Sequence, residues 1–194
     1  MEIGATKAVQ DRLKTTKIEE SKGASLVFCW DTHLTKIKGR NVLFIVNASN
    51  RYTIAMTDIE PRNWNYYAMY IIRVIHGMMQ EMGYSEEQIE QYFKMSGDTT
   101  ITKTHGRKSV GGINRMVMDA QYFGKKLEKE AKYQWELSEY LNRDICQPEG
   151  FDAYGYPNEL FKLDMERLGI ATKRKPAKVI DIAQYIENNR GTNH

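Results

Sequence analysis

The sequence has few cysteines, few prolines and no long apolar run. Only two of its 194 residues are cysteine and four are proline. Small secreted folds normally have more cysteines at regular spacings, so Cys29 and Cys146 are predicted to be reduced thiols. The purest apolar run, residues 42–46, is far too short to cross a bilayer, and residues 1–12 are polar, without an apolar signal region. These absences predict a cytoplasmic protein that makes no contact with membranes.

Signatures of the commonest enzyme classes are also missing. The chain has no Walker motif, no paired CxxC motif, no HExxH motif and no GxSxG nucleophile elbow. Each of these patterns places specific catalytic or metal-binding groups at a required spacing. We therefore assign no catalytic residue, no metal ligand and no cofactor, and we expect the protein to act by binding rather than by chemistry.

The hydrophobic pattern predicts an α+β fold. Residues 26–57 read as an antiparallel meander, because 42–46 is a continuous β-branched and aromatic run and apolar residues alternate from Tyr52 to Met56. Threonine and isoleucine alternate again in residues 99–104, which predicts one more strand. The expected core is an antiparallel sheet of about four to five strands packed by several helices. Residues 1–169 are predicted to form this single domain, and residues 170–194 a basic linker with a short C-terminal helix.

Helical spacing dominates the second half of the chain. A helix is predicted after Pro61, and Ser85 with Gln88 forms a capping box for the next. Apolar residues recur near helical spacing from Ile113 to Ile145, which predicts either one long helix or two helices hinged near Gly124. A helix longer than about 25 residues often packs against a partner chain, so a homodimer is one alternative. A bent pair of helices within one chain is the other.

Positive charge is concentrated in two stretches, although the net charge is only +3. The first basic island, residues 33–51, has four lysines or arginines and no acidic residue. The second basic island, residues 100–126, has six against a single acid, Asp119. If the islands share one side of the fold, that side suits nucleic acid or an acidic protein surface. The alternative is positive charge scattered over a solvated surface.

The segment from Ile101 to Arg115 is the most informative of the chain. It combines a strand end, a basic turn, a predicted Ser109 helix cap and a glycine-rich helix start, where amides and cations could converge on an anion such as phosphate. In the alternative interpretation, Gly111 and Gly112 only allow a close approach of helix and sheet while the cations stay solvated. The residues predicted to bind a partner or phosphate are Lys103, Arg107, Lys108, Ser109 and Arg115, with Lys36 and Arg40 from the first basic island.

Asp31 and His33 form a second candidate pair. Two residues apart on a strand, they point to the same face and could orient a proton transfer or hold a metal. The spacing is common by chance and no third ligand is evident, so the pair also fits a polar strand face beside a structural Trp30. The enzymatic alternative is a metal-dependent nuclease or phosphohydrolase.

Several short stretches together resemble a family of bacterial and mobile-element proteins known only as a domain of unknown function. The stretches are Thr6-Lys7, Phe28 to Trp30, Arg40 to Asn47, Arg51-Tyr52, Thr102 to Thr104 with Arg107 and Ser109, and Tyr156 to Leu160. They span most of the chain and keep the same order and spacing. The family has a histidine directly after the tryptophan, whereas this chain has Asp31 there, which weakens a catalytic interpretation of that position.

The resemblance implies that the protein functions by binding a partner. Some proteins of this general kind, carried by phages and other mobile elements, resemble anti-CRISPR inhibitors, which occupy the surface of a guided nuclease. The leading hypothesis is therefore a non-enzymatic protein that binds a protein or nucleoprotein partner, such as a nucleic-acid-guided nuclease, through its basic strand-turn-helix segment. A DNA-binding regulator is the other non-enzymatic hypothesis.

Overall fold

The computed structural model describes residues 1–14 and 18–171. The strands are β1 (Glu2–Ala5), β2 (Cys29–Ile37), β3 (Arg40–Asn47), β4 (Thr53–Thr57) and β5 (Thr100–Thr102). The α-helices are α1 (Lys7–Leu13), α2 (Pro61–Asn65), α3 (Tyr67–Glu81), α4 (Glu86–Ser96), α5 (Gly106–Gln121), α6 (Trp135–Asn142) and α7 (Pro157–Arg167). The α+β class predicted from the sequence is confirmed. The predicted C-terminal linker and helix lie outside the described residues, apart from 170–171.

The five strands form one mixed sheet in the order β4-β3-β2-β1-β5. The predicted meander is confirmed, since β2 pairs antiparallel with β3 and β3 pairs antiparallel with β4. Strand β1 differs from the expected antiparallel pattern, because it runs parallel to both β2 and β5. Parallel pairing requires a long crossover connection, and the chain between β1 and β2 contains helix α1.

Helices cover both faces of the sheet. Alternate residues of β3 belong to different apolar clusters: Leu43 and Ile45 pack with α3, α4 and α7, whereas Val42, Phe44 and Val46 pack with α5 and α6. This division follows from the two-residue period of a strand, whose successive side chains point to opposite faces. Both faces of β3 are buried beneath helices, which explains the uninterrupted apolar run in this strand.

The segment between α5 and α6 protects the exposed edge of β4. Lys132 O accepts a hydrogen bond from Thr57 N at 2.7 Å, and Gln134 N donates to Ala55 O at 2.9 Å. Further along the edge, Asn142 bonds both Thr53 N and Thr53 O at 2.8 Å. An unpaired edge would otherwise present free backbone groups to other chains.

The segment that pairs with the edge of β4 interrupts the helical region, and it thereby decides between one long helix and two helices for residues 113–145. The chain forms two helices, and α5 ends at Gln121, close to the predicted hinge at Gly124. Phe123 and Leu127 continue the apolar stripe because they insert into the core from the connecting loop. The homodimer stays a prediction, but the single long helix that suggested it is absent from the described residues. None of the helices described is long and apolar enough to cross a bilayer.

Candidate functional site

Strands β1 and β2 place four residues, each polar or small, beneath the start of α5. Their register pairs Glu2 with Cys29 and Gly4 with Asp31, so all four positions lie on the same face of the sheet. Helix α5 begins at Gly106, three residues earlier than the predicted Ser109 cap, and His105 occupies the N-cap position without a capping side-chain bond.

The His105 imidazole joins two carboxylates. Its Nδ1 lies 2.7 Å from Asp31 Oδ1, and its Nε2 lies 2.9 Å from Glu2 Oε2. The side chains of His105 and Glu2 are 3% and 4% exposed, and that of Asp31 is completely buried. Buried charges are tolerated only when paired and hydrogen-bonded. An imidazolium between the two carboxylates meets that requirement.

Further donors saturate both carboxylates. Asp31 also accepts hydrogen bonds from the His105 backbone N–H at 3.2 Å and from the Ser109 hydroxyl. Glu2 accepts from Ser21 Oγ at 2.6 Å and from Lys22 N at 2.8 Å. We call the set Glu2, Asp31, His105 and Ser109 the buried network. It ties β1, β2 and the first turn of α5 together.

Two pKa values in the buried network are shifted. Burial disfavours the charged imidazole, but hydrogen bonds to Asp31 and Cys29 and the attraction of both groups outweigh it and raise the pKa of His105 to about 10. Burial likewise acts to raise the pKa of Glu2, and the hydrogen bonds from Ser21, Lys22 and His105 outweigh it and hold that pKa below its usual value. The network is therefore ionic at neutral pH.

The buried network has little catalytic potential in this state. Both imidazole nitrogens of His105 are engaged with carboxylates, and the Ser109 hydroxyl is bonded to Asp31 rather than to an imidazole that could accept its proton. The candidate pair Asp31 and His33 shares no hydrogen bond among the described residues, since Asp31 is bonded to His105 and Ser109 and the His33 Nδ1 lies 3.2 Å from Thr6 Oγ1. Of the network, Glu2 and His105 are the groups that could hold a metal, together with Cys29.

Gly4 is required beneath the buried network. A Cβ at this position would overlap Asp31 Oδ1 and lie 3.1 Å from His105 Nδ1. We expect Gly4→Ala to lower the free energy of unfolding by about 1–3 kcal/mol, since the methyl group must displace a buried hydrogen-bonded pair. Urea unfolding measures this. Gly77→Ala, which meets open space in α3, serves as the control and should not destabilise; equal stability of both variants would contradict the prediction.

Most of the residues predicted to bind a partner or phosphate already have a bonding partner within the chain. Ser109 is buried and committed to Asp31, so it is not free for an anion, contrary to its predicted role as a cap at an open helix start. Lys103 pairs with Glu20, Arg40 with Asp58 and Arg115 with Asp119. Lys108 Nζ donates to Pro148 O at 3.2 Å. Arg107 and Lys36 are exposed and have no ion-pair partner within residues 1–14 and 18–171.

The two basic islands meet in space along α5. Helix α5 follows β2, so that Ser109 contacts Asp31 at one end and Gln121 Nε2 donates to Lys36 O at 3.0 Å at the other. Beyond this point, Lys38 Nζ donates to Lys125 O at 2.7 Å. The first island thus lies against the second, as the hypothesis of a shared positive face requires.

Arg51, the last residue of the first basic island, packs against α5 at Gly112, within the second. Its guanidinium rests on Gly112, where any Cβ would overlap it. Positions 108, 112 and 115 lie on one face of a helix, since they are separated by four and three residues. Arg51 is half-buried, and its guanidinium has no hydrogen-bond or ion-pair partner in the part of the chain described by the structure.

A cleft of about 270 Å³ opens beside the Arg51 side chain. Its charged and polar lining includes Arg51, Arg115, Asp119, Asp144 and Cys146. We call it the Arg51 cleft. The pKa of the Cys146 thiol is raised by burial, and the nearby Arg51 charge only partly opposes this. The cleft therefore contains an arginine fork that has no partner among the described residues, beside a neutral thiol.

The turn between β3 and β4 holds Arg51 in place. Arg51 has a positive φ of 63°, which is uncommon for a residue with a side chain. Asn47 Oδ1 accepts from Ser49 N at 3.0 Å, and Asn50 bonds both Tyr52 N and Asp164 Oδ2 at 2.9 Å. These buried bonds hold the left-handed conformation. Sequence reasoning counted Arg51 among the basic residues but missed its role, because only the turn geometry brings it to α5.

Comparison with known proteins identifies a family and nothing closer. The family model described as "Domain of unknown function (DUF6933)" matches residues 2–160, which includes every strand and the whole buried network. No curated protein matches the chain, and no solved structure matches it. The chain belongs to the DUF6933 family of domains of unknown function.

Proposed function

We propose that this protein is a non-enzymatic binding protein that contacts phosphate groups of a nucleoprotein partner through the α5 face, at the Arg51 cleft. The observation that carries the proposal is the position of the Arg51 guanidinium, which rests on Gly112, lines the cleft together with Arg115 and is unpaired among the described residues. A guanidinium presents a planar fork of donors that matches a phosphate or carboxylate bidentately. Its restrained backbone lowers the entropy lost on binding.

The residues around the cleft favour binding to a phosphate of a macromolecular partner over binding of a small free anion. Arg107 and Lys36 extend the positive charge along α5 and β2 without ion-pair partners in the described ranges. Asp119 and Asp144 line the cleft as well, so the local charge is mixed and would admit one phosphate rather than a dense run of them. The buried network supports this use, because it anchors the first turn of α5 to the sheet.

In its finer form, the proposal makes the partner a nucleic-acid-guided nuclease of the CRISPR type and the protein an inhibitor from a mobile element. This form rests on the family resemblance and on the exposed cations Arg107 and Lys36, since occupation of a nucleoprotein surface needs cations and no catalysis. A DNA-binding regulator would use the same face on free duplex, and the two differ in whether the nuclease is required.

We expect Arg51→Gln to weaken binding to a guide-loaded nuclease by about tenfold to one hundredfold, the equivalent of losing one charge-assisted bidentate contact of about 1.5–3 kcal/mol. The measurement is cleavage of target DNA with increasing amounts of inhibitor, supported by fluorescence anisotropy on labelled duplex and single-stranded DNA. Arg73→Gln removes the same charge from an exposed site on α3, across the sheet, and should change neither readout.

A glycine pair gives a second, charge-neutral test. Gly112→Ala would push the Arg51 guanidinium aside, whereas Gly111→Ala on the same helix meets open space. Only the first should weaken binding. If the wild-type protein binds neither the nuclease nor DNA at low salt, the proposal is rejected. Tight, steeply salt-dependent binding to free duplex without protection from cleavage would identify a DNA-binding regulator instead.

A further inference from the structure

We propose that the chain binds one zinc ion between Glu2, Cys29 and His105. One donor atom from each side chain, a carboxylate oxygen, a thiol sulfur and an imidazole nitrogen, lies within 4.8 Å of the other two, and all three residues are buried. They come from β1, β2 and the turn between β5 and α5. This site is separate from the Arg51 cleft and does not depend on the proposed function.

A tetrahedral ion fits after side-chain rotations that bring the three donor atoms, now within 4.8 Å of one another, to bonding positions around it. Zinc bonds of about 2.0–2.3 Å to oxygen, nitrogen and sulfur place the ligand atoms about 3.3–3.8 Å apart. The His105 Nε2 and Glu2 Oε2 atoms, now 2.9 Å apart, would open by a few tenths of an ångström. The backbone already holds the other pair, since Glu2 and Cys29 are directly opposite in the parallel register of β1 and β2.

The groups behind the ligands also fit a metal site. A ligating histidine typically donates its second ring N–H to a carboxylate, which orients the ring. Asp31 accepts a hydrogen bond from His105 Nδ1 at 2.7 Å and another from the Ser109 hydroxyl, which fixes the carboxylate in turn. Glu2 is positioned by Ser21 Oγ and Lys22 N. Glu2 and His105 are thus oriented by further hydrogen bonds, whereas the Cys29 thiol donates to Ala24 O at 3.7 Å and Ser25 O at 3.5 Å, bonds that it would give up with its proton.

Charge is conserved when the ion enters. In the metal-free state one proton lies between His105 Nε2 and Glu2 Oε2, which are 2.9 Å apart, and the Cys29 Sγ donates its proton towards Ala24 O and Ser25 O. A Zn²⁺ ion would replace the proton on His105 Nε2 and the proton on Cys29 Sγ, and both protons would pass to solvent. Two positive charges leave and two arrive, so the buried site keeps the same net charge.

The types of ligand atom at this site determine which metal ion it would prefer. Thiolate sulfur with imidazole nitrogen suits zinc, whereas magnesium and calcium require oxygen ligands almost exclusively. Three protein ligands leave one tetrahedral position open, which Ser21 Oγ, 2.6 Å from Glu2 Oε2, or water could occupy. An ion here would join the two central parallel strands to the start of α5.

Cobalt(II) is the probe that tests the site, because thiolate ligation gives it a charge-transfer band. We expect the metal-free full chain to bind one equivalent of Co²⁺ with this band, to exchange it for Zn²⁺, and to unfold at a higher temperature when loaded. Cys29→Ser should lose the band and the thermal shift. Cys146→Ser, which removes the half-buried cysteine of the Arg51 cleft, should keep both.

Glu2→Gln is the second variant and keeps the thiol. It should retain the thiolate band but weaken Co²⁺ affinity by at least about tenfold, and circular dichroism without metal checks that each variant is folded. The proposal is overturned if the wild-type chain binds neither Co²⁺ nor Zn²⁺, or if Cys29→Ser binds Co²⁺ with an unchanged spectrum. Loss of the band in Cys146→Ser alone would equally overturn it, since the thiolate ligand would then be the other cysteine.

Discussion

Asp31→Ala is expected to lower the free energy of unfolding by about 3–5 kcal/mol, because it removes one of the two carboxylates that compensate the buried imidazolium and leaves three buried donors without an acceptor. The Asp31 side chain is completely buried and accepts hydrogen bonds from the ring and backbone of His105 and from Ser109. Its loss leaves an imidazolium and two donors without their acceptor. Chemical denaturation of the full chain in the presence of a chelator measures the change.

Controls separate this effect from a general cost of removing an aspartate. Asp152→Ala removes an exposed carboxylate and should change stability by no more than about 0.5 kcal/mol. In a double-mutant cycle with His105→Ala, the cost of Asp31→Ala should shrink, because the imidazolium is no longer present to be left unpaired. The same cost in both backgrounds would show that the pair contributes nothing, and a cost below about 1 kcal/mol would refute the prediction.

The pairing of Asp31 with His105 shows where the sequence was insufficient. Local patterns predicted the meander and the Ser85 capping box correctly, because both depend on residues close together in the chain. The same local reasoning paired Asp31 with its strand neighbour His33. The true partner is 74 residues away and reaches Asp31 only through the parallel pairing of β1 with β2 and β5. Periodicity does not encode that register.

Arg51 illustrates the same limit at the surface. Charge counting placed it in a basic island, but its position against Gly112 depends on a left-handed turn held by buried asparagines.

Stability should fall as pH rises from about 7 towards the pKa of His105. In the folded chain this pKa is raised to about 10, whereas the unfolded value is near 6.5. Below about pH 6.5 both states bind the proton and the contribution is complete; above it the unfolded chain releases the proton first, so the folded state binds more protons and loses stability with rising pH. The expected slope approaches about 1.4 kcal/mol per pH unit, with a total loss of a few kcal/mol.

The groups that face His105 determine this sign. Glu2 approaches from β1, Cys29 and Asp31 from β2 and Ser109 from α5, and the two carboxylates favour the imidazolium over the neutral ring. Glu2 works in a separate window: its pKa is lowered in the folded state, so its contribution is present near neutral pH and is lost in acid. A bell-shaped stability profile should result, with its alkaline side due to His105.

Denaturation of the wild-type chain and of His105→Gln across about pH 6 to 9, with a chelator present, isolates the effect. The difference between the two curves cancels the contributions of titrating groups that do not contact His105, including the buried Cys146 thiol and Tyr52 phenol, whose pKa values are raised by burial. The difference should diminish steadily with rising pH, because only the wild-type chain loses the imidazolium contribution. A constant difference would mean that the pKa of His105 is the same in the folded and unfolded chains, which would refute the prediction that the two carboxylates stabilise a buried imidazolium.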